Sequence, residues 1–413
     1  MENRLVIHHI GGRSGSRTFP VLSAFEKDII NVMYDADESC LEQVTDSWKE
    51  QESKTIVLPY CLSRQVDVCK FHINYDPYSS SIYRLNPRYS EFYIPPIDQE
   101  PGGFDYVLGD AFRTMNEIQL QTTTLDAIVL DRNEVPGPDF LSIDTQGSEL
   151  DILSGALGNL EKTIVAIHAE IELHPIYEGQ PLFGDISKFL AQQNFDLVDI
   201  QLFSKLLPIR GKQGFRGDGY VAHGEALFLK RPKFVTCPIQ LKKLAFIATV
   251  YGKFECAQQC FESNNFKTEL QAPNIYPDTK LGYLDFISRL SKAVDLLPNR
   301  TLPLFSDKYS FTQSKDRFKR QAQSINGLKV LLKKITPLFT LVRFFKSVFR
   351  ILSSSLSRVH AYKISIQIFF CWRLKLHSSE VEALFAEFGM KEQFYLAMKN
   401  RIFDSLSLRS PKK

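Results

Sequence analysis

The sequence predicts an α/β protein with a doubly wound, mostly parallel, seven-stranded sheet followed by an α-helical C-terminal region. Its 413 residues suggest two or three domains and leave room for a sizeable core. Hydrophobic residues make up 44% and charged residues 23%, which is ordinary globular usage and excludes collagen-like, disordered and coiled-coil classes. Short apolar runs alternate with longer connections over the first 230 residues, a pattern typical of doubly wound sheets.

The first three strands are predicted from apolar runs that end in turns or acids. Leu5–Ile10 stops at a glycine-rich turn, Ile29–Tyr34 ends at Asp35, and Thr55–Leu58 is the third run. Residues 66–123 are rich in Tyr, Pro and Ser. That composition predicts hairpins and loops, inserted near a binding face, in place of regular crossover helices.

Strand and helix patterns resume after Pro138. The predicted strands are Phe140–Ile143, Thr163–Ile171, Asp196–Ile200 and Ala226–Lys230, and the predicted helices are Ile186–Gln192 and one that begins at Glu149 and continues through Gly155 and Ala156. The pattern breaks at Arg231 and Pro232. We therefore expect a first domain over residues 1–231, a helical extension over 232–300, and a basic amphipathic helical region over 301–413.

The stretch from Asp139 to Leu150, DFLSIDTQGSEL, resembles the diagnostic motif of the FkbM family of methyltransferases, D-F-[LI]-K-I-D-V-[QE]-G-x-E. Further blocks follow the family's order: Cys61-Leu62-Ser63, Thr124-Leu125-Asp126, Glu170, and Tyr177-Glu178-Gly179-Gln180. The resemblance covers about residues 5–230. It implies a class I (Rossmann-like) methyltransferase that uses S-adenosylmethionine to O-methylate a hydroxyl of a sugar, glycan or glycosylated metabolite.

The resemblance also implies a set of cofactor-binding residues. Gly11, Gly12 and Gly15 would let the backbone approach the methionine part of the cofactor, because a Cβ would obstruct that approach. Asp35 would accept hydrogen bonds from the ribose hydroxyls. Leu62 and Ser63 would contact the adenine edge. A plain turn and an ordinary surface acid remain the alternatives for the glycines and for Asp35.

Three departures from the family pattern favour a second hypothesis. The usual D-V-G-A-N-x-G is replaced by the segment from His9 to Gly15, Arg64 stands where the family has an acid, and Ser142 replaces a lysine. The alternative is therefore a degenerate, non-catalytic scaffold or binding protein in a glycan-assembly system. A nicotinamide-dependent oxidoreductase is disfavoured, because Gly11-Gly12-x-x-Gly15 lacks the G-x-G-x-x-G spacing.

Methyl transfer to a hydroxyl requires in-line approach and removal of a proton from a weak acid. Asp144, at the carboxyl end of its strand, is the first candidate base, with capping of the next helix as its alternative role. His168, Glu170, Glu172 and His174 recur every second residue. Such a row could be a metal cluster or a general base with its partner, but it is more often a strand edge that meets solvent. We therefore predict no metal and take Glu170 and His174, with Asp144, as catalytic residues at the substrate site.

The C-terminal region carries a strong local charge. Residues 301–376 hold 15 Lys and Arg against 2 Asp and Glu, whereas residues 1–300 hold 29 against 40. Arg343, Lys346 and Arg350 recur at helical spacing beside a Phe-rich apolar face. This pattern predicts either an interfacial membrane helix or a helix docked on the acidic body, on a partner or on a second copy. Nucleic acid is not expected, because the aromatic residues fall within the apolar runs.

Seven scattered cysteines without CxxC spacing favour reduced thiols and a cytoplasmic protein, with peripheral contact at the inner membrane face through the basic region. The N-terminus enters a predicted strand within five residues, so we expect no signal peptide.

Overall fold

The computed structural model describes residues 3–11, 18–35, 53–95, 105–203, 205–209, 219–267, 282–296, 379–390 and 392–394. The chain divides into two compact units, residues 1–291 with 386–397, and residues 292–385 with 398–413. The first unit contains the sheet and the helices packed on it. The basic segment 301–376, and with it the predicted membrane or docking helix, lies outside the described residues.

The described residues form fourteen strands and eight α-helices. The strands are β1 Leu5–Ile10, β2 Ile29–Tyr34, β3 Lys54–Leu58, β4 Cys61–Leu62, β5 Val68–Asn74, β6 Tyr93–Ile94, β7 Tyr106–Val107, β8 Thr114–Thr123, β9 Phe140–Ile143, β10 Ala166–Glu172, β11 Phe195–Leu202, β12 Lys205–Leu206, β13 Tyr220–Val221 and β14 His223–Lys230. The helices are α1 Leu108–Ala111, α2 Glu149–Ser154, α3 Leu157–Lys162, α4 Phe183–Gln192, α5 Pro238–Val250, α6 Phe254–Glu262, α7 Gly282–Asp295 and α8 Ser379–Glu387.

Seven strands form the central sheet, in the order β11-β14-β10-β9-β1-β2-β3. Strand β14 pairs antiparallel with both of its neighbours, and the other pairs are parallel. The predicted seven-stranded, mostly parallel sheet is confirmed. Because the parallel strands end on one edge and β14 begins there, side chains from five or more strands meet at that edge.

Both faces of the sheet are covered, which explains why β1 and β2 are buried along their whole length. On one face, Leu141 and Ile143 of β9 share a core with Leu153 of α2, Leu160 of α3 and Leu190 of α4. On the other face, aromatic side chains predominate. There, the Phe140 ring stacks on Tyr251 after α5, and Phe25 packs edge-on against Phe246 of α5.

Helix α5 is anchored to the sheet by a buried ion pair. Lys243 Nζ lies 2.6 Å from Asp139 Oδ2, which also accepts a hydrogen bond from Val6 N at 2.8 Å. Removing one partner of an ion pair this deeply buried would strongly destabilise the fold, because the other partner would be left as an uncompensated buried charge. Helix α5 therefore packs as part of the first unit, and the domain boundary expected at residue 231 stays a prediction.

The insertion between β3 and β9 is built from strands and loops, as its composition predicts. Strand β8 pairs antiparallel with β5 and parallel with β4, and β6 pairs with β7. Two hydrogen bonds bring the insertion to the carboxyl edge of the main sheet: Ser81 Oγ donates to Gln146 O at 2.8 Å, and Tyr177 Oη donates to Ser79 O at 2.9 Å. The insertion thus lies beside the edge where the strands end.

The prediction of one helix from Glu149 through Gly155 and Ala156 is wrong about where that helix ends. Helix α2 ends at Ser154, and a separate helix, α3, begins at Leu157. A Cβ at Gly155 would lie 2.2 Å from Ser63 O, so the chain breaks the helix where it passes that backbone. The carboxylate of Asp126 then accepts hydrogen bonds from the first backbone N–H groups of α3.

Within the part of the chain that the structure describes, no helix combines the length and the apolar character needed to span a bilayer.

Candidate active site

Three carboxylates lie in one row across β9, β10 and β14. Glu170 is paired with Glu225, and Asp144 follows Ile143, the partner of Ala169. Because side chains alternate between the faces of a strand, all three point to the same side of the sheet. The strand order therefore collects at one edge acids that are up to 81 residues apart in the chain.

A cavity of about 130 Å³ opens over this row. Two histidines on the same face join the carboxylates, and His168 Nε2 lies 3.5 Å from Glu225 Oε2. The lining residues are Thr18, Ile143, Asp144, His168, Glu170, Phe203, His223, Gly224 and Glu225. The cavity is small, and its lining combines proton acceptors with apolar groups in similar proportion.

Burial shifts the pKa values of four side chains that line the cavity. Burial, and secondarily the charge of Asp144, raises the pKa of Glu170 well above its ordinary value and also raises that of Glu225. Burial lowers the pKa of His168 to about 4 and lowers that of His223. Both imidazoles are therefore expected to be neutral near pH 7, where each offers one nitrogen as a hydrogen-bond acceptor.

Sequence reasoning found Asp144 and Glu170, and the structure brings them together. It missed Gln146, His223 and Glu225. Gln146 donates from its side-chain amide to both Asp144 and Glu170. His223 and Glu225 could have been found from their spacing of two, which places both on one face where a predicted strand begins.

His174 is not among the residues that line the cavity. Its ring stacks on Tyr220 at a centroid distance of 5.9 Å and meets Tyr89 edge-on at 6.1 Å. Strand β10 ends at Glu172 and the chain bends at Leu173 and His174, so the aromatic group lies in the connection beyond the strand. Its assignment as a catalytic residue stays a prediction.

Gly11 ends β1 in a conformation that requires glycine. Its φ is +85°, and a Cβ would lie 1.9 Å from Asp144 O. Its backbone N–H donates to Tyr34 O at 3.3 Å, so it joins the end of β2 to the end of β9. Gly12 and Gly15 lie outside the described residues.

Asp35 directly follows β2 and is half-buried. Its backbone N–H donates to Leu58 O at 3.3 Å, which places it at the sheet edge between the ends of β1 and β3. A carboxylate in this position suits a ribose, because its oxygens can accept from two neighbouring hydroxyls. The described residues at this edge therefore fit a nucleoside cofactor.

The residues expected at the adenine edge are largely enclosed. Leu62 is only 4% exposed and belongs to the core beneath the sheet edge. Ser63 N donates to Thr123 O at 2.9 Å, and its own carbonyl faces Gly155. Contact of either residue with adenine stays a prediction. Among the described residues, no group of three His, Cys, Asp or Glu side chains is arranged to hold a metal ion.

The sheet order, the glycine at the end of β1 and the acid at the end of β2 together define a class I methyltransferase domain. Residues 11–197 match the family model for the methyltransferase FkbM domain. The chain therefore carries an FkbM methyltransferase domain, the family that its motifs resemble, and the cofactor of that domain is S-adenosylmethionine. No curated protein sequence matches the chain.

Two solved structures show similarity to the chain. One is the methyltransferase FkbM from Methylobacillus flagellatus KT, with 13% identity, 55% of this chain and 44% of that chain covered, and a TM-score of 0.29. The chain thus spans less than half the length of that protein. The other is the magnesium protoporphyrin IX methyltransferase (ChlM) from Synechocystis PCC 6803 with bound SAM, with 8% identity, 55% and 70% covered, and a TM-score of 0.27.

Proposed function

We propose that this protein transfers the methyl group of S-adenosylmethionine to a hydroxyl of a sugar, a glycan or a glycosylated metabolite. The observation that carries the proposal is the cavity over the carboxylate row. Its acids and neutral imidazoles are acceptors, and a hydroxyl substrate supplies donors. A small cavity at the carboxyl edge of the sheet is also where ligands of open α/β sheets bind.

For this reaction the protein must position the acceptor hydroxyl against the methyl group and remove the hydroxyl proton. The cofactor supplies an electrophilic methyl group on its sulfonium. Asp35 and Gly11 would hold the cofactor, and Asp144 and Glu225 would accept hydrogen bonds from the acceptor hydroxyl. One of these carboxylates takes the hydroxyl proton as the oxygen attacks, which is general base catalysis worth about 10²–10⁴-fold.

The aromatic group beyond the cavity supports a sugar acceptor. Tyr89, His174 and Tyr220 form an aromatic cluster in the connection that follows β10. The side chain of Tyr220 is 51% exposed. Exposed aromatic faces beside convergent polar groups are typical of sites that hold a ring with one apolar face and many hydroxyls.

The test is a transfer assay with methyl-deuterated S-adenosylmethionine and a panel of oligosaccharides and glycosylated metabolites, read by mass spectrometry. We expect one class of acceptor to gain one labelled methyl group. Glu225→Gln should lower the rate at least tenfold, whereas Glu178→Gln, at an exposed position outside the cavity, should not. Cofactor binding without transfer to any acceptor would favour the non-catalytic scaffold.

We further propose that the protein is cytoplasmic and contacts anionic membrane through residues 301–376. The support is the charge of that segment and the free cysteines among the described residues. Co-sedimentation with phosphatidylserine vesicles at low salt tests the contact. Protein that stays in the supernatant with anionic vesicles would contradict it.

A further inference from the structure

We propose that Gln146 is a positioning residue that holds the carboxylates of Asp144 and Glu170 side by side at the edge of the sheet. The use of these carboxylates in methyl transfer rests on the function proposed above. The positioning itself rests on hydrogen bonds, backbone conformation and charge.

The amide of Gln146 contacts both acids directly. Its Nε2 donates to Asp144 Oδ1 at 3.1 Å and to Glu170 Oε2 at 2.9 Å. Two carboxylates on neighbouring strands repel each other when both are ionised. The two N–H groups of one amide place partial positive charge between them and determine which oxygen of each acid faces the other.

The other end of the amide is held by the insertion and by Tyr177. The Tyr177 hydroxyl lies 3.1 Å from Gln146 Oε1 and 2.9 Å from Ser79 O, and Tyr177 is only 1% exposed. The phenol has one proton, which these two acceptors share. The amide faces the two acids with Nε2, its donor end, and the phenol with Oε1. Ser81 Oγ also donates to the Gln146 backbone carbonyl.

The backbone at this position is unusual. Gln146 has a φ of +57°, a left-handed conformation that few residues other than glycine adopt, and Gly147 follows with +103°. A residue other than glycine keeps such a backbone conformation only where its surroundings maintain it. A glycine here would relieve the strain and remove the amide. The contacts to two acids supply the physical reason for a glutamine.

Gln146→Glu is the sharpest test, because glutamate has the same shape but offers a donor only when protonated. We expect the urea midpoint of the full chain to match wild type at pH 5 and to fall well below it at pH 8. Adding Asp144→Asn should recover part of the loss at pH 8, because one of the facing charges is then gone.

Gln192→Glu, at an exposed position in α4, is the matched control. Its effect should be the same at both pH values and additive with Asp144→Asn. If the midpoint of Gln146→Glu differed from that of wild type by the same amount at pH 5 and pH 8, or if Gln146→Glu were strictly additive with Asp144→Asn, the positioning role would be overturned. Neither measurement requires an acceptor, so failure to find a methyl acceptor would reject the proposed function and leave this result standing.

Once a methyl acceptor is identified, the pH profile of the transfer rate gives a second test of the positioning role. In Gln146→Gly the acids lose their donor, so the acidic limb of the profile should move up by about one pH unit and the rate should fall roughly tenfold to a hundredfold. A purely structural role would lower the rate without moving the limb, and that outcome would overturn the proposal.

Discussion

The two halves of the sheet edge are built in different ways. At the ends of β1 and β2, close backbone approaches shape the region proposed to hold the cofactor (the cofactor half), with Gly11 against Asp144 O and Asp35 beside Leu58. At the ends of β9 and β10 and the start of β14, titratable side chains face one cavity. The cofactor half should therefore be sensitive to a single added methyl group. The acceptor half should instead be sensitive to charge and pH.

The difference matches what each half would recognise under the proposed function. S-adenosylmethionine is the same molecule in every methyltransferase that uses it, and under the proposed function Gly11 and Asp35 would hold it. An acceptor differs from enzyme to enzyme, and polar side chains on a row can change without changing the sheet. Each prediction below alters one half and leaves the other as a reference.

The largest effect is expected from Gly11→Ala. The added Cβ would overlap Asp144 O, and φ at this position is +85°. We expect unfolding free energy to fall by about 3 kcal/mol or more, and calorimetric binding of S-adenosylmethionine to be lost.

Alanine substitutions at two other glycines distinguish the effect of backbone strain at positive φ from the effect of steric overlap with the added Cβ. Gly179 has a φ of +76° with open space around it, so alanine there should cost about 1 kcal/mol. Gly184, in the first turn of α4, has open space, and alanine there should be neutral or stabilising by up to about 1 kcal/mol. A Gly11→Ala protein as stable as Gly179→Ala would contradict the close approach.

Asp35→Ala should weaken S-adenosylmethionine binding by roughly a hundredfold, because two charge-assisted hydrogen bonds to the ribose would be lost. Asp35→Asn keeps one acceptor and should lose less. Calorimetric titration of both variants measures the difference. Equal affinities for wild type and Asp35→Ala would remove Asp35 from the cofactor site, while the acceptor half would be unaffected.

Glu172→Gln should change how stability depends on pH. Glu172 is 6% exposed, and within the described residues its Oε2 has no hydrogen-bond partner. Burial, with the charges of Glu149 and Asp144, raises its pKa well above the ordinary value. The folded state thus binds more protons than the unfolded state above pH 4.5, and wild-type stability falls as pH rises from there towards the raised folded pKa.

The variant lacks this titration, so its urea midpoint relative to wild type should rise progressively from pH 5 to pH 8. Glu178→Gln, at an exposed position, should show no such trend. A difference between Glu172→Gln and wild type that is constant with pH would show that Glu172 ionises normally in the folded protein.

The smallest effect is expected from Tyr220→Ala. Tyr220 is half-exposed, so its loss should leave the unfolding midpoint nearly unchanged. An aromatic contact of about 0.5–1.5 kcal/mol corresponds to a rise of roughly threefold to tenfold in the acceptor KM, with kcat less affected. Tyr75→Ala, also strongly exposed, is the control. An unchanged KM for every acceptor would exclude Tyr220 from the acceptor site.

Much of the fold could be predicted from the sequence. The seven strands, α4 and the helical character of residues 232–300 follow from apolar periodicity, because burial of one face or of both faces determines which positions are apolar. The break between α2 and α3 could not be predicted. It depends on the backbone of Ser63, which is 92 residues away in the chain from Gly155.

The candidate site divides in the same way. Gly11, Asp35, Asp144 and Glu170 could be found because each stands at the end of a predicted strand. Glu225 was missed because β14 runs antiparallel and brings its first residues, not its last, to the shared edge. Its spacing of two from His223 was the signal that could have found it. The position of His174 among aromatic rings likewise depends on Tyr89 and Tyr220, which reach it from separate loops.

The sequence by itself determined the family of this domain, the strands of its sheet and the residues at their ends, since local pattern and motif order are properties of the chain. Only the tertiary structure decided which of those residues meet. The register across β9, β10 and β14 places Asp144, Glu170 and Glu225 in one row, and Gln146 between two of them. Pairing between distant strands is set by packing over the whole sheet, and no single segment encodes it.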